Sequence, residues 1–98
     1  MSNSELNFLA TLESIVADRL ENPSRESYTA SLIASGPQRV AQKVGEEAVE
    51  LALASVGGDR NDIVNEAADL LFHMLVLLRN QDVVLADVVR ELESRHTA

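Results

Sequence analysis

The chain has 98 residues, enough for one domain with a modest core, and its 46% hydrophobic content argues against a disordered chain. A formal net charge of −8 argues against general binding to nucleic acid or to an anionic membrane surface. With no cysteine there are no disulfides and no thiolate metal sites.

Taken in chain order, the sequence opens with Met1-Ser-Asn-Ser-Glu5, which has neither the basic nor the apolar region of a signal peptide. Leu6, Leu9, Leu12, Ile15, Val16 and Leu20, with Phe8 nearby, recur at helical spacing. Ser4 can cap this first helix, which should stop near Asn22-Pro23 because the residue before proline disfavours helical dihedrals. Pro23 to Ser27 reads as a connection, and Tyr28 to Ala34 as a short helix. Gly36-Pro37 marks a break, with Ser35 or Gly36 as N-cap and Pro37 at the first helical position. A third helix then runs to about Ser55, its apolar side made by Val40, Ala41, Val44, Ala48, Leu51 and Ala52, and Gly57-Gly58 ends it.

Asp59 can cap a fourth helix that continues to about Arg79, and a fifth, amphipathic through Leu85, Val88, Val89 and Leu92, spans roughly Leu85 to Arg95. No lasting apolar/polar alternation marks a strand. The expectation is a single all-α domain covering 1–98, a bundle of about five helices. From Ile63 to Leu78 nearly every position is apolar except Asn65, Glu66, Asp69 and His73, so the fourth helix should be covered on most sides. Pairing with a second copy is the simple way for so short a chain to cover it, and a homodimer is expected. The longest apolar run, Leu70 to Leu78, is broken by His73 and falls short of the roughly 18 residues a membrane span needs. The expected location is cytoplasmic.

The chemistry concentrates between Lys43 and His73. Glu46, Glu47 and Glu50 form E-E-x-x-E on the third helix, and Glu66 and Asp69 form E-x-x-D on the fourth. Residues three or four apart share a helix face, so an antiparallel hairpin lets the two clusters meet. An acidic triplet alone is usually a solvated face. Acids on an apolar helix are another matter, since buried carboxylates cost several kcal/mol unless compensated, and Lys43 is the only lysine. Oxygen-only ligands suit a hard divalent cation, Mg2+ or Mn2+ before zinc. Clustered carboxylates holding Mg2+ typically bind polyphosphate, with a spare carboxylate to orient water. No G-x-x-x-x-G-K-[ST] loop is present, which points to phosphoanhydride hydrolysis rather than a P-loop ATPase.

Other residues carry a plainer reading beside the functional one. Lys43, one turn before Glu46 and Glu47, fits a structural ion pair as well as a phosphate contact. Gly45 costs a helix roughly 1 kcal/mol relative to alanine, which calls for a neighbouring helix or a ligand close by. His73 continues the stripe Asp62, Glu66, Asp69 and fits either a substrate pocket or a hydrogen-bonded core position.

The E-E-x-x-E and E-x-x-D pair resembles the all-α nucleotide pyrophosphohydrolase superfamily, which includes MazG-like proteins and dimeric dUTPases. The wider text, Ser27-Tyr28-Thr29, Ala34-Ser-Gly-Pro37, Ala41-Gln-Lys-Val-Gly-Glu-Glu-Ala-Val-Glu50 and Glu66-Ala-Ala-Asp-Leu-Leu-Phe-His73, is similar to the phosphoribosyl-ATP pyrophosphohydrolase family of histidine biosynthesis. The resemblance spans nearly the whole chain. It implies Mg2+-dependent hydrolysis of phosphoribosyl-ATP to phosphoribosyl-AMP and pyrophosphate. It also implies metal ligands at Glu47, Glu50, Glu66 and Asp69, with Glu46 as a further ligand or base and a catalytic set of Glu46, Glu47 and Glu50. Lys43 would meet phosphate, and Tyr28, Thr29 and His73 match family positions that bind substrate. Many relatives are fused to phosphoribosyl-AMP cyclohydrolase. This chain starts directly at the hydrolase helix and lacks the cysteines of that zinc enzyme, so a stand-alone form with a separate downstream cyclohydrolase is expected.

Two other functions compete. A house-cleaning hydrolase of ordinary nucleoside triphosphates would use the same acidic motif, and only the Ser-Tyr-Thr and Gln-Lys-Val-Gly context tips the choice. A non-catalytic adaptor could present the acids to a basic partner, but it would not need them on an apolar helix.

Overall fold

A computed structural model describes residues 3–22 and 27–97. It contains five helices in the order α1 (Asn3–Glu21), α2 (Tyr28–Ala34), α3 (Pro37–Gly57), α4 (Arg60–Asn80) and α5 (Leu85–His96), and no strand among the described residues. The all-α expectation holds, with helix ends displaced by one or two residues. α1 already includes Ser4, so that residue sits in the first turn instead of capping it. Of the connection expected at Pro23–Ser27, only Ser27 lies within the described residues.

Local signals account for the breaks. Ser27 caps α2 by accepting a hydrogen bond from the Ala30 amide at 3.2 Å. Gly36 precedes Pro37 at the start of α3, where the missing proline N–H costs nothing. Gly58, with φ 80°, closes α3 in the left-handed region that a side chain would disfavour, and Asp59 then accepts from the Asp62 amide at 3.1 Å to open α4. This two-residue reversal makes α3 and α4 the most extensive pairing in the molecule.

Four helices meet in one small core. Val16 of α1, Leu32 of α2, Val40 of α3, and Leu75 and Val76 of α4 are buried, with Leu12, Leu20, Ile33, Phe72, Leu77 and Leu85 packed against them. α5 buries no residue fully. Its start is held from a distance, where the Glu13 carboxylate of α1 accepts the Leu85 N–H at 2.5 Å.

The full burial expected for α4 is not met within one chain. Val64 and Leu71 are exposed, and on α3 the stripe Val49, Leu53, Val56 is more exposed still, Val56 at 86%. The reason is supply: the core-facing sides of α1 and α2 cover only one flank of the hairpin. No helix among the described residues is long and apolar enough to cross a membrane.

Candidate metal and phosphate site

The hairpin sets the acids at matching heights. Glu50 and Glu66 each lie eight residues from Gly58, and Glu47 and Asp69 each lie eleven. Antiparallel helices rising equally from one turn therefore bring these pairs level, about 12 and about 16 Å from the reversal. Carboxylate oxygens of Glu47, Glu66 and Asp69 all fall within 4.8 Å of one another. Glu47 is buried, Glu66 half-buried and Asp69 exposed, so the group forms a recess open on one side.

The electrostatics of the cluster are unbalanced. Lys43 bonds Glu47 at 3.1 Å and lies 3.7 Å from Glu46. The Lys43 bond holds the Glu47 carboxyl below the usual range against the opposing effect of burial, and Glu47 in turn raises Lys43. One ammonium does not serve the remaining acids. Glu47 Oε2 and Glu66 Oε2 are buried, and no group among the described residues donates a hydrogen bond to them. Leaving such an oxygen unpaired costs about 1–3 kcal/mol. Glu50 lies against both, and its carboxyl is pushed up to about 7, first by Glu47 and next by Glu66. A proton on Glu50 is the remedy the chain itself offers, and it can serve only one neighbour at a time.

A hard cation in the recess would serve both. Two orphaned oxygens, an oxygen-only donor set and a carboxyl that keeps its proton for want of positive charge all fit a divalent ion such as Mg2+. The donor set offers no thiolate, and zinc prefers nitrogen and sulfur.

Glu46 turns away from this group. Its carboxylate accepts from Gln42 Nε2 at 2.8 Å and lies 3.6 Å from Arg39, as well as beside Lys43. The cations and acids of α3 thus form a ladder, Arg39, Lys43, Glu46 and Glu47, along about two turns. Arg39 and Gln42 were not singled out from the sequence, although their spacing of seven and four residues before Glu46 is the helical signal that could have found them. Gly45 faces open space, because a Cβ there would meet nothing within 4 Å. No close neighbour among the described residues explains it. It lies instead in a surface groove lined by Gln42, Glu46, Val49 and Glu50.

Tyr28, at the start of α2, reaches across to α4. The Tyr28 hydroxyl lies 2.8 Å from His73 Nε2, and His73 Nδ1 lies 2.7 Å from the Asp69 carbonyl oxygen. Tyr28, Phe72 and His73 pack as a ring cluster, with His73 edge-on to both neighbours. His73 is buried, Tyr28 is half exposed, and Thr29 is buried on the inner side of α2. Of the residues marked in the sequence, the structure gathers Glu47, Glu50, Glu66, Asp69, Lys43, Tyr28 and His73 around one recess, and it sets Glu46 at the rim and Thr29 inside.

Comparison with known proteins adds to this geometry. The model of the family described as phosphoribosyl-ATP pyrophosphohydrolase matches residues 9–96. The histidine biosynthesis bifunctional protein HisIE of Vibrio cholerae is 47% identical over 93 residues, which is 95% of this chain and 44% of that protein. Its namesake in Yersinia pestis is 50% identical over 93 residues, covering 95% of this chain and 46% of the relative. The Salmonella typhi protein of that name is 52% identical over 89 residues, 91% of this chain and 44% of the relative. The chain spans less than half the length of these curated relatives. They are bifunctional by name, so they lend no support to the expectation of a separate downstream cyclohydrolase.

Proposed function

The chain belongs to the phosphoribosyl-ATP pyrophosphohydrolase family, and we propose that its recess hydrolyses phosphoribosyl-ATP to phosphoribosyl-AMP and pyrophosphate in histidine biosynthesis. The observation that carries this reading is the pair of donorless buried oxygens, Glu47 Oε2 and Glu66 Oε2, in a cluster with Asp69. Glu47, Glu50, Glu66 and Asp69 would hold Mg2+, which when bound offsets phosphate charge and polarises the phosphoanhydride.

The chain's own residues supply the rest. Lys43, one turn along α3, meets phosphate oxygens and gives up part of its bond to Glu47 as the anion arrives. Glu46, held by Arg39 and Gln42, keeps Lys43 over the recess. Glu50, set beside Glu47 and Glu66, accepts the proton of the attacking water. The water oxygen bonds to phosphorus, the bridging P–O bond breaks, and pyrophosphate leaves. Tyr28 lines the mouth, with Thr29 beneath it securing α2.

The exposed stripe Val49, Leu53, Val56, together with Val64 and Leu71, supports a homodimer in which a second copy covers this flank. A biosynthetic hydrolase of this kind is placed in the cytoplasm.

Pyrophosphate release from phosphoribosyl-ATP, set beside ordinary nucleoside triphosphates, tests the reading. Release from phosphoribosyl-ATP alone is expected. Release only from ordinary triphosphates would move the protein to the house-cleaning class, and none from any substrate would leave an acidic adaptor.

A further inference from the structure

The hydrogen bonds around His73 have a direction. A backbone carbonyl can only accept, so at 2.7 Å from the Asp69 oxygen His73 Nδ1 must carry the proton. In the neutral ring, Nε2 is then a bare lone pair. Tyr28, at 2.8 Å, therefore donates its hydroxyl hydrogen to Nε2. Its single hydrogen is committed inward, to a buried ring, which leaves the half-exposed phenol only oxygen lone pairs to offer any other partner.

We infer that His73 is a positioning residue which fixes Tyr28 as a hydrogen-bond acceptor at the mouth of the recess, making a subsite for a hydroxyl- or N–H-bearing part of the substrate rather than for phosphate. Phosphate oxygens offer lone pairs only, and lone pairs facing the Tyr28 oxygen would repel. The anionic part of the substrate thus goes to Lys43 and the carboxylate cluster, and a sugar hydroxyl or base N–H goes to Tyr28. The subsite rests on the hydrolase reading above, whereas the direction of the bonds rests on the structure alone. The ring of Phe72, tilted against the phenol, and that of His73, edge-on to it, hold the phenol in place.

Two measurements test this. The first needs no substrate: long-range 1H–15N spectra of the two imidazoles, His73 being identified by its loss in His73→Gln. An Nδ1–H tautomer is expected, and an Nε2–H tautomer at His73 would overturn the inference. The second compares Tyr28→Phe, His73→Gln and His73→Leu by KM, kcat and product inhibition by pyrophosphate, with melting temperatures to check the fold. Tyr28→Phe keeps the ring packing and should raise KM roughly tenfold, the usual effect of losing one such bond, with kcat and pyrophosphate inhibition within about twofold of wild type. His73→Leu should raise KM similarly, and His73→Gln, whose amide oxygen can still accept from Tyr28, should restore most of the loss. An unchanged KM in Tyr28→Phe, or pyrophosphate inhibition weakened as much as KM, would overturn the acceptor role. A wild type that fails to turn over phosphoribosyl-ATP would sink the hydrolase reading, while the tautomer would still decide the direction of the bonds.

Discussion

At the residue scale the recess behaves as four acids competing for too little positive charge. Asp69→Asn or Glu66→Gln removes one like charge and one oxygen ligand. Turnover should fall by about 100-fold or more, with the melting temperature of the metal-free protein unchanged or slightly raised. Glu50 gives the cluster a pH signature with a definite sign. Its carboxyl lies at 4.5 when unperturbed and is pushed up to about 7 by Glu47 and Glu66. Between those values the folded chain holds a proton that the unfolded chain has released, so this group's contribution to stability declines as pH rises through the window. Glu47, lowered by Lys43, runs the other way: its contribution is present above 4.5 and lost as pH falls through its folded value. The metal-free protein should therefore lose stability from 4.5 toward about 7, Glu50→Gln should flatten that slope, and Mg2+ should bind more weakly as pH drops through about 7. Melting curves across this range, with and without Mg2+, check all three. The spacing of the acids was readable in the sequence. The departure of Glu46 had a fainter mark there, the helical spacing of Arg39 and Gln42, which share its carboxylate.

At the scale of elements, caps and breaks did most of the placing. Pro37, Gly58 and Asp59 mark their helix ends in the sequence as clearly as in the structure, since each acts on its own backbone neighbours. Counting from Gly58 even aligns Glu50 with Glu66 and Glu47 with Asp69. Contacts between distant parts of the chain leave no such mark. Tyr28 meets His73 across 45 residues and Glu13 meets Leu85 across 72, and neither partner is set by local periodicity. α5 has no side-chain cap of its own at Val84, so the Glu13 carboxylate stands in for one. Glu13→Ala should cost about 1 kcal/mol and speed hydrogen exchange at the first turn of α5, read by NMR. Gly45 offers a contrasting test. Its Cβ would enter open space, so Gly45→Ala should stabilise α3 by about 1 kcal/mol in urea unfolding. If turnover falls despite that gain, the groove beside Glu46 and Glu50 is one a ligand or a second copy must enter closely.

At the scale of the whole molecule, one chain leaves too much apolar surface uncovered. Leu53 at 67% and Val56 at 86% exposure lie on the helix that carries Lys43 and Glu47, so whatever covers them also braces the recess. The greasiness of α4 pointed to such a covering from sequence, yet it misplaced the need: the barest stripe belongs to α3, whose alternation of small and large residues hid its second apolar face. Leu53→Glu should convert a homodimer to monomer in sedimentation equilibrium, with a loss of melting temperature that depends on protein concentration. A wild-type monomer at all concentrations would refute the pairing. The hydrolysis proposed for phosphoribosyl-ATP needs a cation in the recess. Pyrophosphate release should be followed against Mg2+ concentration for wild type and Asp69→Asn in the same assay. Saturable Mg2+-dependent release is expected from the wild type, and release lower by about 100-fold or more at every concentration from the variant. Release that is indifferent to Mg2+, or equal in the two proteins, would contradict it.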